Sequence, residues 1–295
     1  MIHKRKYKKR ARAILRSLFF MSMLAAVICF SLVFISLIER QRQNIDNEKL
    51  LKERKYYELQ NERRIEKTID NPTINDTEKP KDISSSLADE LEKERKLVLE
   101  QEKEEEVKRN IREWYKTKQK EMPDLKGLIV LKWKEKKEEK KRETFLFSRE
   151  NDHLYYMNHD RYEKYSRNGE AGILKTDEGF NTIVWDHNFI DGTRFSFMQD
   201  IPDDKELLDS LEVSLELADG TRKDYEVVSA RYETGSAFFK TSFSSEEKLK
   251  EYFKEHLQID YKEDIKEILT IFTCHSVDGS VKSVVYCIPK IDKER

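Results

Sequence analysis

The stretches 267–274, EILTIFTC, and 282–288, KSVVYCI, are two β-forming runs separated by Asp278-Gly279. Val, Ile, Thr, Phe and Tyr suit a pleated, half-buried surface, and Asp-Gly accepts the positive backbone angles of a tight hairpin turn. The pattern predicts two antiparallel strands, with Cys274 at the end of the first. Working outward, the same texture recurs at 127–133 (GLIVLKW), 143–148 (ETFLFS), 153–158 (HLYYMN), 181–188 (NTIVWDHN), 210–217 (SLEVSLEL) and 224–234 (DYEVVSARYET). Asp191-Gly192 and Asp219-Gly220 are further tight connections of the kind that join antiparallel strands. Eight short strands predict a barrel or a sandwich. One helix interrupts them over 244–257, where Ser244 and Glu247 form a capping box and Leu249, Tyr252, Phe253 and Leu257 share a face. No period of repeat length recurs.

Three cysteines occur, Cys29, Cys274 and Cys287. A bridge between the last two is the plainest reading for an exported chain. Hairpin pairing opposes it. Cys274 falls opposite residue 281 or 282, so Cys287 lies five residues along, roughly 16 Å away, whereas a disulfide needs Cα atoms within about 7 Å. Cys274 is thus a candidate free thiol and Cys287 a core residue. A nucleophilic thiol needs a proton-handling partner, most often His. His275 is adjacent in sequence, but successive strand side chains point to opposite faces. His187, at the end of an apolar strand and before a turn, is the better placed candidate, though a lone His is more often structural.

The N-terminal part has a different composition. Eight Lys or Arg and no acid occupy 1–16, and 17–38 (SLFFMSMLAAVICFSLVFISLI) contains no charge, Gly or Pro. As a helix that run spans about 33 Å, enough to cross a bilayer. The basic cluster before it predicts a cytoplasmic N-terminus and an exported remainder, and turns the reading of the basic tail from nucleic acid to membrane. A cleaved signal peptide is the competing reading, against which stand the length of the run and the IERQRQ that ends it. The expected organisation is a basic tail at 1–16, a transmembrane helix at 17–38, a charged, solvated helical stalk and turn-rich linker at 39–85, a charged helix at 86–120 and a β-rich domain at 121–295. Only the end of that last helix is amphipathic, through Val107, Ile111, Trp114 and Tyr115. Charged residues make up 39% of the 295, which is why part of the chain must lie outside any core.

Several segments, in order, resemble those of class B sortases, membrane-held cysteine transpeptidases. MPDLKGLIVL (122–131) is similar to their NPDxxGWI-type opening, and HLYYMNHDRYEKYSRNGEAGIL (153–174) to their YYLxHxxxxxxxxxGxIF segment. WDHNFIDGTRF (185–195) resembles a GHN-type segment with DGT, and YEVVSARYET (225–234) a strand ending in V-x-SA. ILTIFTC (268–274) resembles the TLSTC-type cysteine strand, and KSVVYCIPK (282–290) the R-x-VV strand. The helix between them favours class B over other classes. The resemblance implies a mainly β fold with helices: a closed barrel of about eight strands, an N-terminal helix, and an inserted helix before the cysteine strand.

It further implies that Cys274 is the nucleophile, His187 the proton-handling residue and Lys282 the occupant of the family arginine's position. Lys lacks the rigid fork of an Arg. Three readings stay open: Lys282 substitutes, Arg194 or Arg231 serves instead, or the domain is a catalytically degenerate, membrane-tethered peptide-binding or assembly module. Asp186 replaces the glycine of GHN, and a carboxylate there is expected to raise the pKa of His187 or to face water. The implied substrates are surface proteins or pilins bearing an NPxTx-like C-terminal sorting signal, with a cell-wall precursor or pilin amine as acceptor, in a Gram-positive bacterium. No cofactor, metal or nucleic acid is implied.

Overall fold

The computed structural model of the chain describes residues 2–69, 85–176, 179–276 and 278–290. By its contacts the chain divides into two units, 1–48 and 49–295, and each is described by itself. The first unit lies within helix α1 (Ile2–Ile69), whose side chains over 17–35 are exposed. This helix is long and apolar enough to cross a membrane. Most of the linker read at 70–85 lies outside the described residues, and Ser85 opens helix α2 (Ser85–Lys118).

The second unit is built on a closed barrel. Its strands are β1 (Leu125–Glu135), β2 (Glu138–Phe147), β3 (Ala171–Leu174), β4 (Asn181–Trp185), β5 (Glu212–Leu217), β6 (Arg222–Thr234), β7 (Ile268–Cys274) and β8 (Val281–Pro289). Around the barrel they run β1-β2-β3-β4-β7-β8-β6-β5, and β5 returns to β1. Two pairings are parallel, β2 with β3 and β4 with β7; the rest are antiparallel. The sequence expectation of a closed barrel of about eight strands with helices holds.

Period-two alternation explains how both faces of the sheet are filled. Val184, Ile271 and Val285 point into the barrel with Ile129, Leu131 and Leu215. The intervening Trp185, Phe272, Val284 and Tyr286 point outward, into a second core covered by helix α4 (Glu246–Tyr252) and a π-helical turn, Phe253–Leu257. The four residues singled out on the inserted helix, Leu249, Tyr252, Phe253 and Leu257, are all buried there. The cap is Ser245, whose hydroxyl accepts from the Lys248 N–H, one residue beyond the Ser244 of the sequence reading. The third core joins α2 to β1 and β2 through Ile111, Trp114, Tyr115, Phe145 and Phe147.

Three local expectations need correction. The run 153–158 is a turn with a 3-10 segment, Tyr155–Met157, and the strand lies later, at β3. Leu154 is exposed and His159 stacks on Tyr155, so HLYYMN has no alternating face to bury. Asp219-Gly220 and Asp278-Gly279 turn β5 into β6 and β7 into β8, but Asp191-Gly192 lies in the loop after β4 and joins no adjacent pair. The stalk is not wholly solvated: Leu50 enters the third core, and Arg54 is buried with Nη2 at 2.8 Å from Glu216 Oε2 on β5. Arg222 and Glu58 complete that ion-pair group.

Backbone approach is closest where β3 meets β4. Gly172 pairs with Trp185, and a Cβ at Gly172 would stand 2.0 Å from the indole ring. Gly172→Ala is therefore expected to force the indole off its packing and to cost about 1–3 kcal/mol, as overpacked cores do. Urea denaturation of the full chain in detergent checks this, with Gly192→Ala, where a Cβ meets nothing within 4 Å, as the comparison for which only backbone strain remains.

Candidate active site

The site residues gather where β4 and β7 end side by side. Every pair from Asn181↔Ile268 to Trp185↔Phe272 keeps an offset of 87. The same alignment continues past the last paired position. The Asp186 N–H donates to the Phe272 carbonyl at 3.3 Å, and Thr273 Oγ1 donates to the Asp186 carbonyl at 2.9 Å. The ladder ends at Trp185↔Phe272, and the same offset carried forward matches His187 to Cys274 in sequence position. Asn188 ties the two segments, its Nδ2 donating to the Cys274 carbonyl at 2.9 Å and to Gln199 Oε1 at 2.7 Å. Parity along β7 places Cys274 on the outward face, with Phe272.

The hairpin supplies the third residue. Cys274 pairs directly with Lys282, one of the two positions that hairpin counting left open, and Lys282 Nζ donates to Cys274 Sγ at 3.1 Å. The same ammonium stands 5.9 Å from the centre of the Phe272 ring. Cys287 pairs with Leu269 and is buried, and Cys274 and Cys287 are both free thiols. Burial pushes the Cys287 thiol up, away from reactivity.

His187 is held differently from Cys274. Its ring stacks on Phe189, with centroids 5.3 Å apart, and its Nε2 lies where a Cβ on Gly169 would come within 2.6 Å. Nε2 has no hydrogen-bond partner, and among the described residues no hydrogen bond joins His187 to Cys274. Gly169 takes a φ of +52°, a left-handed conformation in which a side chain would be strained as well as blocked. Burial first, and the Arg194 guanidinium next, lower the His187 pKa to about 4; a backbone interaction with Met157 acts the other way. His187 is therefore neutral at pH 7.

Behind His187 lies a buried charge cluster that the sequence reading did not assemble. Arg161 and Arg194 face Glu170, at 2.8 Å and 3.5 Å, and Arg194 also reaches Asp186 Oδ1 at 3.6 Å and the Gly169 carbonyl at 3.0 Å. The guanidiniums hold the Glu170 carboxyl down against the opposing effect of its burial. The expectation for Asp186 is overturned. It neither faces water nor raises His187: it is buried, Oδ1 accepts the His187 backbone N–H at 2.8 Å, and Oδ2 has no partner. Burial pushes its pKa up to about 6 despite Arg194. Arg194, one alternative to Lys282, is thus committed to this cluster. Arg231, the other, lies on β6, where it pairs with Val284 of β8, one strand further from Cys274 than Lys282. His275 turns away from the thiol, its Nδ1 at 3.1 Å from the Gln199 carbonyl and its ring against Tyr232. Among the described residues no group of His, Cys, Asp and Glu has the placement of a metal site.

The arrangement resembles solved structures in fold. Neither a family model nor a curated protein matches the sequence. Among solved structures, sortase B from S. aureus complexed with MTSET matches at 17% identity and a TM-score of 0.50, over 61% of this chain and 78% of that one. Sortase B from Clostridium perfringens matches at 21% and 0.49, over 60% and 99%, and sortase B from Listeria monocytogenes at 20% and 0.45, over 59% and 98%. The barrel has the sortase fold, and the structures it resembles are of class B. At these identities the likeness is one of fold.

The Asp186 carboxyl makes a pH-dependent contribution whose sign is calculable. Its folded pKa, about 6, lies above the ordinary 3.8, so the folded state holds the proton more tightly. The stability this gives is full below the unfolded value and is lost as pH rises through 6. A rise of this size is equivalent to about 3 kcal/mol. In denaturant titrations at pH 4 and pH 7, Asp186→Asn should gain on the wild type by up to that amount at the higher pH. The lowered His187 pKa has the opposite sign, with stability lost as pH falls from 6.5 through 4, but it is common to both proteins and cancels in the difference.

Proposed function

We propose that this chain is a membrane-anchored cysteine transpeptidase of the sortase type, with Cys274 as nucleophile, His187 as proton-handling residue and Lys282 in the arginine's place. The observation that carries the proposal is the Lys282 ammonium 3.1 Å from the Cys274 sulfur, with the segment that bears His187 tied to the same strand end through Asn188.

The reaction runs in two acyl transfers. The Cys274 sulfur attacks the carbonyl carbon of a Thr in an NPxTx-like C-terminal sorting signal, and His187, neutral at pH 7, takes the thiol proton. The carbonyl π electrons move to oxygen, and Lys282 stabilises that oxyanion. Its collapse expels the amine of the following residue, to which His187 returns the proton, leaving a thioester on Cys274. An amine of a cell-wall precursor or pilin then attacks the thioester and regenerates the thiol. The long apolar helix supports a location at the membrane. In this reading the tail at 1–16 is cytoplasmic, 17–38 spans the membrane, the charged segments 39–85 and 86–120 lead outward, and 121–295 acts outside a Gram-positive cell.

A second reading, a degenerate module that binds peptides without turnover, is favoured by one observation. The His187 Nε2 packs towards Gly169, without a bond to Cys274. The full chain in detergent, given fluorogenic sorting peptides and an amine acceptor, separates the two. The transpeptidase reading expects turnover that vanishes in Cys274→Ala, falls by about 10²–10⁴ in His187→Ala and by about 10²–10³ in Lys282→Ala, and survives in Lys282→Arg. Peptide binding without turnover, unchanged by Cys274→Ala, establishes the module instead.

A further inference from the structure

The hairpin that carries Cys274 and Lys282 is also built for a reaction that needs no peptide. Lys282 Nζ and Cys274 Sγ are 3.1 Å apart, on directly paired residues. This is the separation at which reacting atoms are poised for bond formation. Among the described residues no carboxylate forms an ion pair with Lys282. Its partner across the β6–β8 ladder, Glu233, is engaged by His256 Nδ1 at 2.8 Å and by the Tyr286 hydroxyl at 3.0 Å. No second thiol competes for Cys274, since Cys287 is buried five ladder positions away. Gly279 faces the pair from the turn without a side chain: a Cβ there would stand 3.5 Å from Nζ and 3.8 Å from Sγ. Cys274 itself is only half-buried. A small oxidant therefore reaches a sulfur whose nearest nucleophile is an amine.

We propose that Cys274 and Lys282 form a reversible covalent S–N cross-link, a sulfenamide, when the chain meets a hydroperoxide. In the first step the Cys274 thiolate attacks a peroxide oxygen. The O–O bond breaks, sulfur is oxidised to the sulfenic acid, and the reduced oxygen leaves as hydroxide or alkoxide, which takes a proton from solvent to become water or alcohol. In the second step the free-amine form of Lys282 attacks the sulfur. The S–N bond forms, the S–O bond breaks, and hydroxide leaves with an amine proton as water. A thiol reductant reverses the link: its sulfur attacks Cys274, the S–N bond breaks, the amine takes a proton, and a second thiol resolves the mixed disulfide. An arginine at 282 would not react in this way, because a guanidinium remains protonated and offers no amine nucleophile. The replacement of Arg by Lys thus supplies the chemistry of the cross-link. The link consumes the nucleophile and protects it from over-oxidation.

Peptide mass spectrometry of the full chain in detergent tests the proposal without any substrate, so its outcome is independent of transpeptidation. Trypsin cuts after Lys266, Lys282 and Lys290, placing Cys274 and Lys282 in one peptide, 267–282. After hydrogen peroxide the expected product is the longer peptide 267–290, lighter by two hydrogens and uncut at Lys282, with normal cleavage restored by dithiothreitol. Its yield should persist in Cys287→Ala. Lys282→Arg should lose the product and give a dimedone-trapped sulfenic acid instead. Complete cleavage at Lys282 in oxidised wild type, with dimedone labelling equal to that of Lys282→Arg, overturns the proposal. A bridge that retains the peroxide oxygen overturns the direct S–N bond.

Discussion

The parallel pairing of β4 with β7 is the constraint on which the rest depends. An offset of 87 residues, held over five pairs, brings two distant segments to the same edge of the barrel. Everything chemical in the molecule is appended to those two strand ends. Parallel neighbours cannot be joined by a tight turn. The intervening chain accordingly supplies the loop after β4, the β5–β6 hairpin, and the inserted helix that covers the outward face. Trp185 and Phe272 stack at 6.3 Å on that face, two residues before His187 and Cys274. The apolar packing that holds the pairing in register and the candidate site residues are therefore close neighbours in sequence.

The electrostatics around the two strand ends are opposite in kind. Beside Cys274, Lys282 is partly exposed, and a sulfur accepts its hydrogen bond. Behind His187, Arg161 and Arg194 are neutralised by the buried Glu170 and Asp186. Buried charges of this sort seldom add net stability, because the desolvation of each group offsets much of its pairing. Their arrangement here fixes backbone positions: Arg194 holds the Gly169 carbonyl and Asp186 the His187 N–H. These two contacts set the wall and the anchor of the imidazole, and the same burial keeps it neutral.

Legibility in the sequence followed the range of the interactions. The β7–β8 hairpin was readable because strand alternation and an Asp-Gly turn are local, and counting from the turn placed the partner of Cys274 at 281 or 282 and separated Cys274 from Cys287. The membrane-type helix was equally plain, since length and lack of charge suffice. β3 was not readable: it is four residues long and includes Gly172, and it is a strand through its pairing with β2 and β4, where Trp185 leaves no room for a side chain at 172. The buried charge cluster was likewise hidden. Arg161, Glu170, Asp186 and Arg194 are close only through the loops that pack them, and each reads singly as a surface residue. Arg54 was hidden for the same reason, its partner Glu216 being 162 positions away.

Cys274 and Lys282 sit on adjacent strands tied by one short turn, capped by Asp278 through its bonds to Ser276 and Ser280. Sulfur and ammonium therefore travel as a single rigid piece. His187 belongs to another segment, joined to that piece through Asn188 and the end of the β4–β7 ladder. The candidate site is thus divided between two segments: one hairpin holds the thiol and the ammonium in register, while on the other the imidazole is anchored by Asp186 and walled by Gly169.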